Sequence, residues 1–177
     1  QEKLSVQDRF RLYTNSDVIG VELGGSLKNV IAIAAGFAAE LKLGDNTMGA
    51  LLTRGMAEII RISTKLGANP STLYGLSGMG DLIATCSSPL SRNHTVGAMI
   101  AQGKKIDDIL KDLGSVAEGV QTSKALCELA KKFEVEVPVS NAIYQAVYTD
   151  TPAKEVFMKL MNRKLKEEEK YLWQNLQ

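Results

Sequence analysis

A lysine interrupts the most apolar stretch of the chain. Residues 18–43 are almost entirely apolar or small, yet they contain the run Gly24-Gly25-Ser26-Leu27-Lys28-Asn29. Burying an ammonium group costs several kcal/mol unless it finds partners. Burial also lowers the pKa of a lysine toward the range that a general base needs near neutral pH. Lys28 is therefore a candidate catalytic base, with Asn29 beside it as a hydrogen-bond donor.

Small residues share the predicted helix face of Lys28. Such a stripe lets another backbone or a ligand approach closely, and Lys28 would project into that gap. A purely structural interpretation stays open, in which Lys28 reaches the surface along its methylene chain or pairs with Glu22 or Glu58. The small residues of the stripe are Gly24, Gly25, Ala32, Ala35, Gly36 and Ala39.

A second candidate segment is Ser77-Gly78-Met79-Gly80-Asp81, with Thr85 four residues after the aspartate. Asp81 and Thr85 would share one helix face. Asp81 could accept a hydrogen bond from a substrate hydroxyl or hold Lys28, but it could equally be the N-cap of a helix. A lone Gly-x-Gly does not match the dinucleotide fingerprint Gly-x-Gly-x-x-Gly.

A third candidate segment is Ser91-Arg92-Asn93, at a predicted helix start. Free backbone amides, a serine hydroxyl and a guanidinium together make an anion site, and phosphate is its natural guest. The structural alternative is that Ser91 caps the helix and Arg92 is a surface charge. The single histidine, His94, has no cysteine or carboxylate cluster around it and is weak evidence for a metal. Cys86 is expected to be a small buried residue.

Composition excludes several classes of protein. The chain has 177 residues and a net charge of +1, so no global field predicts binding to nucleic acid or to a membrane surface. Its longest unbroken apolar run, residues 30–39, is half of the roughly 20 residues of a spanning helix. The N-terminus is polar and shows no secretory signal. Two cysteines make no disulfide framework, which favours a reduced, cytoplasmic setting.

The pattern of the chain predicts an all-α fold of about eight or nine helices behind a short strand. Alternation over residues 10–14 predicts that strand. Ser140 is a predicted N-cap, and Thr151-Pro152 combines a capping residue with proline at the first helical position. The charged residues 164–170 are predicted to be a solvated face. The main predicted helices are residues 21–43, 47–66, 71–74, 81–88, 93–102, 106–113 and 121–133.

Four segments together resemble the NAD(P)-dependent glycerol-3-phosphate dehydrogenases. They are residues 17–29, Gly78 to Leu82 with Thr85-Cys86, Ser91-Arg92-Asn93, and Val116-Ala117-Glu118-Gly119. Their order and spacing agree over residues 10–163. The resemblance implies an all-α substrate domain of the 6-phosphogluconate dehydrogenase C-terminal-like type, over residues 21–177. Residues 1–20 would be the remaining strand and linker of a dinucleotide-binding domain that this sequence lacks.

The resemblance also implies roles. Lys28 would accept the proton when glycerol 3-phosphate is oxidised to dihydroxyacetone phosphate with NAD or NADP, a reversible reaction that supplies glycerophospholipid synthesis. Arg92 would be shared between substrate and cofactor, and Asn29 and Thr85 are weaker substrate candidates. The other implied contacts are Asp81, Ser91 and Asn93 with the substrate, and Val116 and Glu118 with the cofactor. A homodimer is a further expectation.

Two alternatives stay open. One is the helical domain of a β-hydroxyacid dehydrogenase, although the adjacent Lys28-Asn29 favours the glycerol phosphate enzymes, because the β-hydroxyacid family is expected to place these residues one helical turn apart. The other is a non-catalytic helical interaction or dimerisation module. Since catalysis needs cofactor and substrate held in contact, we expect the 177-residue chain to be inactive on its own.

Overall fold

The computed structural model describes residues 1–6 and 9–164, and this part of the chain is all-helical. The all-α prediction is therefore confirmed. A single π-helical turn, Leu76–Gly80, precedes the fourth helix. The α-helices of the described residues are α1 Val18–Glu40, α2 Asp45–Lys65, α3 Pro70–Leu73, α4 Asp81–Ser87, α5 Arg92–Ala101, α6 Ile106–Leu113, α7 Glu118–Lys132, α8 Pro138–Tyr148 and α9 Ala153–Met161.

Helix α1 forms the centre of the molecule. It contacts α2, α4, α5, α7 and α8, and every side chain from Val30 to Ala35 is fully buried. A helix that is apolar on all sides must be surrounded by protein or lipid. By length and hydropathy alone α1 could cross a membrane, but over half of its most apolar window is buried inside the described structure. This is the pattern of a core helix.

The small-residue stripe of α1 packs against protein. A Cβ on Gly36 would lie 1.9 Å from the carbonyl oxygen of His94, and one on Gly97 would lie 1.9 Å from that of Ile33. Helices α1 and α5 therefore approach backbone to backbone. Gly24 lies in the same way against the Ser77 carbonyl, 2.5 Å from its virtual Cβ, whereas Gly25 faces open space. Of the two uses that the stripe predicted, close backbone approach is the one observed.

A buried carboxylate takes the place of a helix cap. Glu58 is fully buried and accepts hydrogen bonds from the backbone N–H groups of Val139 (2.6 Å) and Ser140 (3.0 Å) and from the Ser140 hydroxyl (2.8 Å). The prediction that Ser140 is an N-cap is therefore wrong. Helix α8 begins at Pro138, and Glu58 satisfies its free N–H groups from another helix.

Three further local predictions are wrong. In the described residues the predicted strand at 10–14 is reduced to an isolated bridge between Val6 and Phe10, because no other segment pairs with it. Pro152 occupies the N-cap position of α9, so the helix starts at Ala153. Helix α1 starts at Val18 rather than at residue 21. The segment predicted as a charged face, 164–170, lies outside the described residues except for Lys164.

The early start of α1 has a clear cause. Asp17 is its N-cap and accepts hydrogen bonds from the N–H groups of Gly20 (2.9 Å) and Asn69 (2.8 Å). These two bonds hold the pKa of Asp17 below its usual value. Asp17 thus fixes the start of α1 against the loop that precedes α3.

The contact between α1 and α5 leads to a stability prediction. In Gly97→Ala the new methyl group would meet the Ile33 carbonyl, and we expect a loss of about 3 kcal/mol of unfolding free energy from the forced separation of the helices. Gly49→Ala is the matched control, because Gly49 is exposed within α2 with no atom within 4 Å of its virtual Cβ. It should gain up to about 1 kcal/mol. Denaturant titration measures both, and equal effects would contradict the close approach.

Glu58 leads to a pH prediction. Burial outweighs the hydrogen bonds to the carboxylate and raises its pKa from 4.5 to about 7. Between these values the folded protein keeps a proton that the unfolded chain has lost, so stability falls as the pH rises through this window, by roughly 3 kcal/mol. In Glu58→Gln this component of the slope should vanish, whereas Glu128→Gln, on the exposed face of α7, should keep it. Unfolding curves at several pH values measure it, and parallel profiles for wild type and Glu58→Gln would refute the assignment.

Candidate functional site

An ion pair between α1 and α4 is the first element of the site. Lys28 Nζ contacts Asp81 Oδ2, and the two side chains are 16% and 38% exposed. Lys28 therefore pairs with neither Glu22 nor Glu58, the carboxylates that the structural interpretation offered. Both side chains are exposed enough for a small molecule to contact them. They are also buried enough that water screens the attraction between the two charges only in part.

The glycine-rich turn places Asp81 opposite Lys28. A Cβ on Gly78 would lie 2.0 Å from the Leu73 carbonyl, so only glycine allows the turn to close there. Asp81 is the first residue of α4 and follows the N-cap position, which Gly80 occupies. Its second oxygen, Oδ1, accepts a hydrogen bond from the Thr85 hydroxyl (3.4 Å). The interpretation of Asp81 as an N-cap is therefore wrong, and its carboxylate is held toward Lys28.

A cleft of about 410 Å³ lies next to the ion pair. Asn29, the neighbour of Lys28, and Thr85, the partner of Asp81, both line it. The structure thus brings the three sequence segments together, but Lys28, Asp81 and Val116 are not among the lining residues, and Val116 is 60% exposed. The lining residues are Asn29, Ala84, Thr85, Ser88, Leu90, Ser91, Arg92, Asn93 and Glu118.

The start of α5 forms one wall of the cleft. Ser91 is the N-cap and accepts a hydrogen bond from the His94 N–H (3.4 Å), which confirms its capping role. Arg92 is the first helical residue and is exposed. The first N–H groups of a helix and a guanidinium therefore share one wall, and this arrangement attracts an anion. Capping and anion binding are compatible here.

A chain of side-chain amides crosses the floor of the cleft. Asn93 Oδ1 accepts from the Gly119 N–H (2.9 Å), and Asn93 Nδ2 donates to Asn29 Oδ1 (2.9 Å). Asn29 Nδ2 donates in turn to Glu118 Oε2 (3.3 Å) and to the Gly25 carbonyl (3.4 Å). These bonds join α1, α5 and α7. The local sequence pattern does not predict these bonds, because it does not show which residues far apart in the chain come together.

Other reactive side chains lie outside the cleft lining. Cys86 is buried, and the loss of solvent raises the pKa of its thiol to about 12, which confirms that it is a small core residue. Burial lowers the pKa of His94. The described residues contain no group of three or more His, Cys, Asp and Glu that could hold a metal ion.

Fold and site together define a helical domain that sets a lysine–carboxylate pair beside a cleft lined by an exposed arginine and the start of a helix. The family model described as "NAD-dependent glycerol-3-phosphate dehydrogenase C-terminus" matches residues 17–158. The chain belongs to this family. The resemblance identified from the sequence is confirmed, in preference to the β-hydroxyacid dehydrogenases.

Similar proteins support this assignment. The chain is 53% identical to a glycerol-3-phosphate dehydrogenase [NAD(P)+] of Lacticaseibacillus casei and 50% identical to one of Geobacter sulfurreducens, over 94% of this chain and 48% and 50% of those proteins. A crystal structure of glycerol-3-phosphate dehydrogenase from Coxiella burnetii matches with a TM-score of 0.85 and 38% identity, over 92% of this chain and 50% of that one. The chain spans about half the length of the curated relatives it matches.

Arg92 leads to a binding prediction. Inorganic phosphate added to the chain should shift the backbone amide resonances of Ser91, Arg92 and Asn93. Arg92→Ala should weaken this binding about tenfold, the typical effect of losing one charge-assisted hydrogen bond. Arg11→Ala removes the same charge from an exposed position outside the cleft lining and should leave the affinity within about twofold. The absence of shifts in wild type would contradict a preformed anion site.

Proposed function

We propose that this chain is the substrate-binding and catalytic half of an NAD(P)-dependent glycerol-3-phosphate dehydrogenase. The reaction interconverts sn-glycerol 3-phosphate and dihydroxyacetone phosphate. The observation that carries the proposal is the Lys28–Asp81 ion pair next to the anion-binding cleft, in a chain of this family. A phosphate and a secondary alcohol two carbons away are the features that such a site can recognise together.

The substrate phosphate would lie at the start of α5. There it meets the free N–H groups of the helix and the exposed guanidinium of Arg92, and Ser91 and Asn93 would add polar contacts. Anchoring this end leaves the carbinol carbon free to reach toward the ion pair beside the cleft. Thr85, which is bonded to Asp81, and Asn29, which follows Lys28, both line the cleft, and this supports their assignment near the substrate.

Lys28 would carry the proton. In the oxidation Lys28 Nζ would accept the hydroxyl proton as hydride leaves the carbinol carbon, and in the reduction its ammonium would return the proton to the carbonyl oxygen. Asp81 contacts Nζ, so it would aim the amine and stabilise the ammonium formed by the oxidation. Thr85 holds the other oxygen of Asp81 and so fixes its direction.

A nicotinamide cofactor, NAD or NADP, would supply the hydride chemistry. The lining of the cleft includes Glu118 and Arg92, an acceptor and a cation that fit the hydroxyl groups and phosphates of such a cofactor. Val116, two residues before Glu118, is exposed and would contact the cofactor from the rim. These residues would bind and orient the cofactor against the substrate.

The wider organisation stays a prediction. The family match supports a helical substrate domain, predicted over residues 21–177, that works with a dinucleotide-binding domain, with residues 1–20 as linker. The site acts only when both are present, so we expect no turnover by the 177-residue chain alone. A cytoplasmic location, a homodimer and supply of glycerophospholipid synthesis are predicted with it.

A chimera tests the proposed function. The half of the Lacticaseibacillus casei relative that this chain does not match is joined ahead of residue 17. We expect the chimera to reduce NAD or NADP when glycerol 3-phosphate is the substrate, and not when a β-hydroxyacid is the substrate. Lys28→Met should lower kcat about a thousandfold through the loss of general-base catalysis. Lys104→Met, an exposed residue paired with Asp112 away from the cleft, should keep the rate.

Two results would contradict the proposal. One is a folded chimera that binds the cofactor but does not oxidise glycerol 3-phosphate, which would favour a helical interaction module. The other is a Lys28→Met variant with full activity. The isolated chain serves as the negative control.

A further inference from the structure

We propose that Asn29 is a positioning residue, which sets the substrate-side amide of Asn93 and the cofactor-side carboxylate of Glu118 through one directional hydrogen-bond chain. The inference rests on the proposed function, because that function assigns the two ends of this hydrogen-bond chain to two ligands. The hydrogen-bond chain runs from the Gly119 N–H to Asn93, from Asn93 to Asn29, and from Asn29 to Glu118.

The direction of the chain is fixed at both ends. A backbone N–H can only donate, so Asn93 must turn its oxygen toward Gly119 and its NH2 group toward Asn29. Asn29 must therefore turn its oxygen toward Asn93 and its NH2 group toward Glu118. An ionised carboxylate can only accept, so Glu118 is the matching end. Neither amide can be flipped without leaving a donor facing a donor.

Asn29 has no hydrogen left for a ligand. Its two N–H groups donate to the Gly25 carbonyl and to Glu118, and its oxygen accepts from Asn93. Asn93 donates one N–H to Asn29, which leaves the second one for the cleft that it lines. Asn29 therefore acts on a ligand through the orientation of Asn93 and Glu118.

Burial makes each hydrogen bond between the side-chain amides costly to break. Asn29 and Asn93 are 7% and 8% exposed, and a buried polar group that loses a partner is costly because little water can replace it. The backbones also approach closely at Gly119, where a Cβ would lie 2.5 Å from the Asn29 carbonyl oxygen. A shift at Glu118 should therefore pass to Asn93.

A double-mutant cycle in the 177-residue chain tests this inference. Glu118 is exposed, so its variants should fold. Glu118→Gln removes the charge and keeps a carbonyl acceptor for Asn29, whereas Glu118→Ala removes both. The two variants are made alone and in the Asn29→Leu background, with Asn29→Ser as the substitute if Asn29→Leu does not fold.

The first measurement needs no ligand. The side-chain NH2 resonances of Asn93 should move in Glu118→Ala and stay near their wild-type positions in Glu118→Gln. In the Asn29→Leu background neither change should move them. Equal shifts with and without Asn29 would overturn the inference, because Glu118 would then act on Asn93 through Gly119 alone.

The second measurement is the affinity for inorganic phosphate. Glu118→Ala should bind phosphate about fivefold more weakly than Glu118→Gln when Asn29 is present, and within about twofold of it in the Asn29→Leu background. A merely structural role of Asn29 would lower stability and leave these ratios equal, which would overturn the inference. Lack of phosphate binding by wild type would count against the proposed function, and the resonances of Asn93 would still decide the inference.

Discussion

The close approach of α1 and α5 is the constraint on which the rest of the structure depends. Gly36 and Gly97 let the two backbones meet where any side chain would collide with a carbonyl oxygen. Because residues 29–38 of α1 are buried on all sides and the helix contacts α2, α4, α7 and α8, its position also fixes these helices. The contact brings Asn93, at the start of α5, within hydrogen-bond distance of Asn29 on α1. Packing in the core therefore sets the distance across the cleft.

The site lies at the end of α1 where the burial of the helix is incomplete. Lys28 and Gly25 stand where α1 meets open space, and the fully buried residues begin at Val30. A charged side chain one turn further along α1 would be fully desolvated. The free-energy cost of that desolvation would exceed the attraction to a single oppositely charged partner. At this position one carboxylate from α4 is enough to hold the ammonium. The same helix thus serves as core at one end and as site at the other.

The sequence predicted most of the helices and the Lys28–Asp81 contact, but it missed two sets of contacts made by tertiary packing. Helix α6 was predicted with the observed bounds, Ile106–Leu113, because glycines and charged residues mark both of its ends. Asp81 was offered as a holder of Lys28 from residue chemistry alone. The cap of α8 was wrong because its partner, Glu58, comes from another helix. The amide chain was missed for the same reason: local spacing does not show which residues tertiary packing brings together.

Two carboxylates of this domain, Glu58 and Asp81, differ in their exposure to solvent and in the groups that they contact. Glu58 is fully enclosed, and its oxygens are occupied by the start of α8, so no ligand can reach it. Asp81 is partly exposed, and its oxygens face a hydroxyl and an ammonium beside the cleft. Both acids need donors, because burial of any degree disfavours an unpaired charge. Of these two acids, Asp81 takes its donors from partly exposed side chains that could also exchange a proton with a small molecule, and for this reason we propose the ion pair, and not the buried Glu58, as the place of the chemistry.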